Sequence, residues 1–266
     1  MAMPLNRKSM RHILLAGTGL LLITFSGCAL RGDTTGSVSP TAGNAAIASG
    51  SAGELEQATQ YWQAKYQNDQ SDKIAGINFS RHLRASNRAG DAVGVMRQLS
   101  NRYPQDTGVL GELGKSLAAS GSLDDALRIL EQATSTASPE WQLVSAKGAV
   151  LDQMGRGEDA QRSYQRALQI APGEPAILSN LGLSYALSGD LVKAEQTLRQ
   201  ALEHPRATPK VRENLSLVLG LQGRYEEAEE VAATGNLSHS AAASNTDYLR
   251  NMRRQPDRWT ELQQTN

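Results

Sequence analysis

The chain holds one cysteine, Cys28, and only 5% aromatic residues, two of them phenylalanine, in a length of 266. A lone cysteine excludes an intrachain disulfide framework. With so few aromatics, the hydrophobic 39% is mostly Ala, Leu, Val and Gly-rich sequence, which suits closely packed helices better than a sandwich or barrel. Net charge is absent too: 27 Lys plus Arg balance 27 Asp plus Glu, so no basic face for nucleic acid is indicated. The chain lacks a G-x-x-x-x-G-K-[ST] phosphate loop and a G-x-S-x-G elbow. Its four histidines, His12, His82, His204 and His239, have no metal-ligand spacing, and each is expected to be solvated or helix-terminal. Adjacent acids such as Asp124-Asp125 and Glu226-Glu227 stand where they complement helix starts. These absences predict a protein that is not an enzyme, with no metal, no small-molecule substrate and no nucleic-acid partner.

Against them stands a period of 34 residues. Gly114, Gly148 and Gly182 keep it, as do Gly121, Gly155, Gly189 and Gly223, then Ala126, Ala160, Ala194 and Ala228, and Ala133, Ala167 and Ala201. A repeat of about 20 to 50 residues marks stacked supersecondary units whose product is surface for a partner.

Residues 1–27 read as an export signal: Arg7, Lys8 and Arg11, an apolar run from Ile13 to Phe25, then the small residues Ser26 and Gly27. The run is short of the roughly 17 to 25 apolar residues of a membrane-spanning helix. Phe25-Ser26-Gly27-Cys28 resembles a bacterial lipobox, which implies cleavage after Gly27 and a covalent lipid on Cys28, the one prosthetic group expected. Without residues 1–27 the balance is 24 basic against 27 acidic. Residues 28–53, rich in Gly, Ser, Thr and Ala, are expected to be a flexible tether spanning roughly 25 to 30 Å as a coil.

From Glu54 an i, i+3, i+4, i+7 stripe of Leu55, Ala58, Tyr61, Trp62 and Tyr66 predicts a helix over 54–72. Five units follow in the register 73–106, 107–140, 141–174, 175–208 and 209–242. Asp91, Ser122 and Asp190 are placed to cap second helices, and Pro104, Pro139, Pro172 and Pro205 to stop them. Tyr248, Leu249, Met252, Trp259 and Leu262 predict a C-terminal capping helix and tail over 243–266. The 34-residue spacing, with Gly148, Leu151, Ala160, Tyr164, Ala167 and Pro172 in the third unit, resembles the tetratricopeptide repeat. The first unit departs from it, with Ser80 and Asn87 where the pattern has glycine. The resemblance implies an all-α superhelix, an α-solenoid of about five helix pairs with packing helices at both ends.

It also implies a groove lined by first helices. The residues expected to face it are Arg81, Lys115, Asn180, Leu183, Leu187, Lys210, Asn214, Leu217 and Leu221, basic towards the N-terminal half and apolar towards the C-terminal half. Such a surface suits an amphipathic or extended protein segment. Asn78, Asn180 and Asn214 stand at one repeat position, where their amides are candidates for holding a peptide backbone. The charged clamp of some relatives is incomplete: Asn180 and Lys210 match it, but Ser145, Ala149 and Asn214 do not, so no chaperone-tail binding is expected.

The lipobox, the tether, the five repeats and the Tyr-Leu-Arg-x-Met to Pro-x-x-Trp ending together resemble the TadD lipoproteins of tight-adherence (Flp) pilus systems. That resemblance implies a lipid-anchored pilotin on the periplasmic face of an outer membrane, with a secretin or other pilus or secretion-system protein as partner. Alternatives of the same kind are a type IV pilus pilotin or a β-barrel assembly component. A scaffold for peptidoglycan enzymes is a third reading.

Overall fold

A computed structural model describes residues 52–234. The export signal, Cys28, most of the tether, the end of the fifth unit and the capping helix over 243–266 lie outside the described residues. Within them there are eleven helices and no strand. In chain order they are α1 (Ala52–Asn68), α2 (Lys73–Ala85), α3 (Ala89–Arg102), α4 (Thr107–Ala119), α5 (Leu123–Thr134), α6 (Trp141–Gln153), α7 (Gly157–Ile170), α8 (Pro175–Leu187), α9 (Leu191–Glu203), α10 (Pro209–Gln222) and α11 (Tyr225–Ala233). The first helix of each pair starts at Lys73, Thr107, Trp141, Pro175 or Pro209, the spacing of the glycine and alanine rows.

Local chemistry accounts for the starts. Asp72 accepts from the N–H groups of Ile74 and Ala75, and Asp106 from that of Val109. Pro175 and Pro209 open α8 and α10, where a missing N–H costs nothing. Of the expected second-helix caps only Asp190 acts as one, accepting from Lys193 N–H. Ser122 makes no cap bond, and Asp91 lies inside the first turn of α3, paired to Arg88 at 2.7 Å. The corrected reading is that these turns are held by backbone geometry more than by caps.

That geometry is left-handed. Gly121, Gly155, Gly189 and Gly223 have φ between 79° and 88°, and Asn87 takes 59° at the same position of the first pair. Asparagine is among the few side chains that tolerate this region, which explains why it can replace glycine there. No atom lies within 4 Å of a Cβ built on Gly121, so Gly121→Ala tests the backbone cost alone. It is expected to destabilise by about 1 kcal/mol in urea unfolding. Gly94→Ala, equally uncrowded but inside α3, should stabilise by up to about 1 kcal/mol.

The helices group into two units, 52–150 and 151–234 among the described residues, with the boundary inside α6. In the N-terminal unit α1 packs on α2 and buries Ala58, Trp62 and Tyr66. The Tyr66 hydroxyl donates to Gln98 at 3.0 Å. Leu83, Met96, Leu99, Val109 and Leu130 fill the space between α2, α3, α4 and α5. In the C-terminal unit Ala194, Leu198, Ala201, Leu215, Leu219 and Ala228 form the core of α8 to α11.

The space that the small residues leave is taken largely by a leucine of the partner helix. A Cβ on Gly114 would lie 2.6 Å from Leu130 Cγ, and one on Gly182 would lie 2.7 Å from Leu198 Cγ. Ser80 and Ser216 stand at the same position in the first and fifth pairs, where the registers of Leu130 and Leu198 hold Met96 and Ala232. Ser216 uses the extra room to donate to the Ala228 carbonyl at 2.8 Å. The bulk removed from one helix is thus matched on its partner.

Candidate functional site

In the N-terminal unit, α2 and α4 lie side by side, and their polar residues converge on Glu112. This carboxylate is 2% exposed. Arg84 reaches its Oε1 with Nε at 3.0 Å and Nη2 at 2.7 Å, and Arg81 Nε reaches Oε2 at 3.4 Å. The Ser80 hydroxyl lies 3.4 Å from Oε1 and 3.0 Å from Ser116 Oγ, while Ser116 donates to the Glu112 carbonyl at 2.8 Å. Burying a carboxylate is tolerated only with such partners. Burial pushes the Lys115 ammonium below its usual range; Arg81 and Arg84 add to the shift, and Glu112 and Glu140 oppose it. Arg81 remains exposed and Lys115 half-buried. The structure therefore joins these two expected residues into one cationic cluster, built on a buried acid.

The sequence reading missed Glu112 and Arg84. Glu112 keeps the 34-residue register of Asn78, Asn180 and Asn214, so the repeat itself marked its position. That register corrects the asparagine idea. Asn214 is buried and its amide donates to Ser179 on the neighbouring first helix at 2.8 Å. The Asn78 amide donates to its own helix at the Ile74 carbonyl, 2.8 Å away. Glu112 and Asn214 both tie one first helix to the one before it, which leaves no amide ladder for a peptide.

In the C-terminal unit Leu183, Leu187 and Leu217 are half-buried and packed against the core, and Leu221 is buried in it. Asn180 is half-buried. Lys210 is exposed and pairs with Glu213 at 2.9 Å, one turn along its own helix. In the same unit Asp152 accepts from Tyr164 at 3.0 Å and from Ser184 at 2.7 Å. Burial, then the adjacent Asp152 charge, raises the Tyr164 phenol far above its ordinary range. His82 has the helix-terminal place expected of it, in the last turn of α2, but is fully buried there, with Nδ1 2.7 Å from the Asn78 carbonyl oxygen. Among the described residues no cluster of three metal-ligating side chains forms, and no helix is long and apolar enough to cross a membrane.

The tetratricopeptide repeat family matches residues 142–207, and a second family of the same description matches 108–132 and 209–234. Among solved structures, a tetratricopeptide repeat protein from Parabacteroides merdae aligns with a TM-score of 0.64 at 10% identity, covering 74% of this chain and 78% of its own. The helix pairs from α4 to α11 match the tetratricopeptide repeat. A thermophilic TPR protein of Thermus thermophilus aligns over 65% of this chain and 96% of its own, with a TM-score of 0.58 at 21% identity. No curated protein matches the chain. Tetratricopeptide repeats are typically non-catalytic scaffolds that bind protein partners, and the first-helix faces just described are the surfaces on which such binding is sought.

Proposed function

We propose that this chain is a lipid-anchored scaffold that assists assembly or localisation of the secretin of a Flp (tight-adherence) pilus or type II-like secretion system. The observation that carries the proposal is the combination of Phe25-Ser26-Gly27-Cys28, a lipobox-like junction, with a tether, tetratricopeptide repeats and the Tyr-Leu-Arg-x-Met to Pro-x-x-Trp ending, which together resemble the TadD lipoproteins. Its mechanism is confinement. Acyl chains on Cys28, each buried CH₂ adding about 0.8 kcal/mol, hold the protein at the periplasmic face of the outer membrane. The repeats, at the end of a tether of roughly 25 to 30 Å, search that surface for a secretin segment. No catalytic step is needed; the work is done by raising the local concentration of one protein beside a membrane.

Cys28→Ala tests the anchor and the partner separately. Fractionation is expected to move the variant from the outer membrane to the soluble periplasm, while detergent extracts of both forms still co-purify the secretin. Equal fractionation would sink the lipid tether. Failure of the wild-type protein to retain the secretin would sink the partner.

A further inference from the structure

Helix α2 carries two chemistries along one stripe. Ile74, Ile77, Arg81 and Arg84 follow each other at helical spacings of three and four and share a face. Ile74 is 68% exposed, the most exposed large hydrophobic among the described residues. On α4, Gly108 stands across from Ile77, where a Cβ would come only to 3.9 Å from Ile77 Cδ1, an ordinary contact distance. Seven residues along, roughly 10 Å at 1.5 Å per residue, the stripe becomes cationic, with Arg81 and Arg84 joined by Lys115 of α4.

Glu112 does not cancel that charge. Its two oxygens are engaged by Arg84 and Arg81 and it is sealed from solvent, so it orients the guanidiniums instead. Three cations face this one buried carboxylate and the weaker influence of Glu140. Burial makes the lysine ammonium costly to keep charged, and a bound anion would relieve that cost.

We propose that this face of the N-terminal unit docks an extended, acidic-aliphatic segment of a partner protein. A large apolar side chain covers Ile74 and Ile77, and a carboxylate about three residues along pairs with Arg81, Arg84 and Lys115; three extended residues span roughly 10 Å. The proposal rests on the scaffold reading and gives it a ligand chemistry.

A positional-scanning decapeptide library, offered to the immobilised full-length protein in detergent, tests it. Selection is expected to enrich a large aliphatic or aromatic residue with Asp or Glu three positions away. Arg81→Gln with Lys115→Met should weaken the selected peptides by roughly tenfold and erase the acidic preference while keeping the apolar one. Ile74→Ser should do the reverse. Arg97→Gln with Arg128→Gln, exposed cations of α3 and α5, should change neither. Thermal midpoints near wild type for each variant establish that the fold is intact. Enrichment of neutral or basic peptides, or preferences untouched by these substitutions, overturns the docking surface. So does binding of phosphatidylglycerol vesicles through these residues with no peptide selected. If the secretin is still captured in either case, the scaffold reading survives alone; if the wild-type protein binds neither peptide nor secretin, both fall.

Discussion

Asp152→Ala is expected to lower the unfolding free energy by about 3 kcal/mol, because it strands two buried hydroxyls at once. Tyr164 is 2% exposed and Ser184 is fully buried, and both donate to the Asp152 carboxylate. An unsatisfied buried polar group costs about 1 to 3 kcal/mol. Asp152→Asn keeps the shape and one acceptor oxygen, so its loss should be nearer 1 kcal/mol. Adding Tyr164→Phe to Asp152→Ala removes one stranded hydroxyl and should recover part of the stability, a coupling that a double-mutant cycle in urea reads directly. An Asp152→Ala variant within about 0.5 kcal/mol of wild type would mean that the network contributes nothing beyond packing.

The second large effect is steric. Gly182→Leu drives a branched side chain into the space held by Leu198 Cγ, 2.7 Å from where its Cβ must sit, with the Ala194 carbonyl only 3.3 Å away. Overpacking of this kind costs up to about 3 kcal/mol. Leucine's better helix propensity returns at most about 1 kcal/mol, leaving a net loss of about 2 kcal/mol in thermal or urea unfolding. The fifth pair shows the compensated form of the same site: Ser216 faces the register of Ala232 and donates to the Ala228 carbonyl. Gly182→Ser combined with Leu198→Ala recreates that pairing, so the two substitutions together should cost less than the sum of their separate effects. Strict additivity would show that the two registers do not share one space.

How far the sequence could be read follows from what each residue responds to. Gly114, Gly182, Ala194 and Ala201 are small because a neighbouring helix leaves nothing larger a place, and a constraint repeated in every pair becomes a visible period. The glycine row at the turns was equally legible, since few residue types accept a left-handed backbone, but Asn87 reads in sequence as a departure from the row and only the structure shows it taking the same conformation. Arg81 and Lys115 were recognisable as cations on first helices, but Glu112 and Arg84 were not. Nothing local distinguishes a glutamate that will be buried from one that will be solvated. The outcome depends on two arginines about 30 positions earlier that the packing of α2 on α4 brings to it. Asn214 was misread for the same reason: its amide is spent on Ser179, 35 residues away. His82, an unremarkable polar residue in sequence, is buried because the last turn of α2 faces the core.

What the sequence determined unaided is that the fold of the described residues is all-α and that its helices come in pairs. Both conclusions rest on sterics between close neighbours, and these repeat every 34 residues with the same small side chains. Tertiary structure alone decided which polar groups are consumed inside and which are left for a partner. A hydrogen bond or ion pair between adjacent first helices joins residues about one repeat apart, and the choice among such partners exists only once the helices have packed.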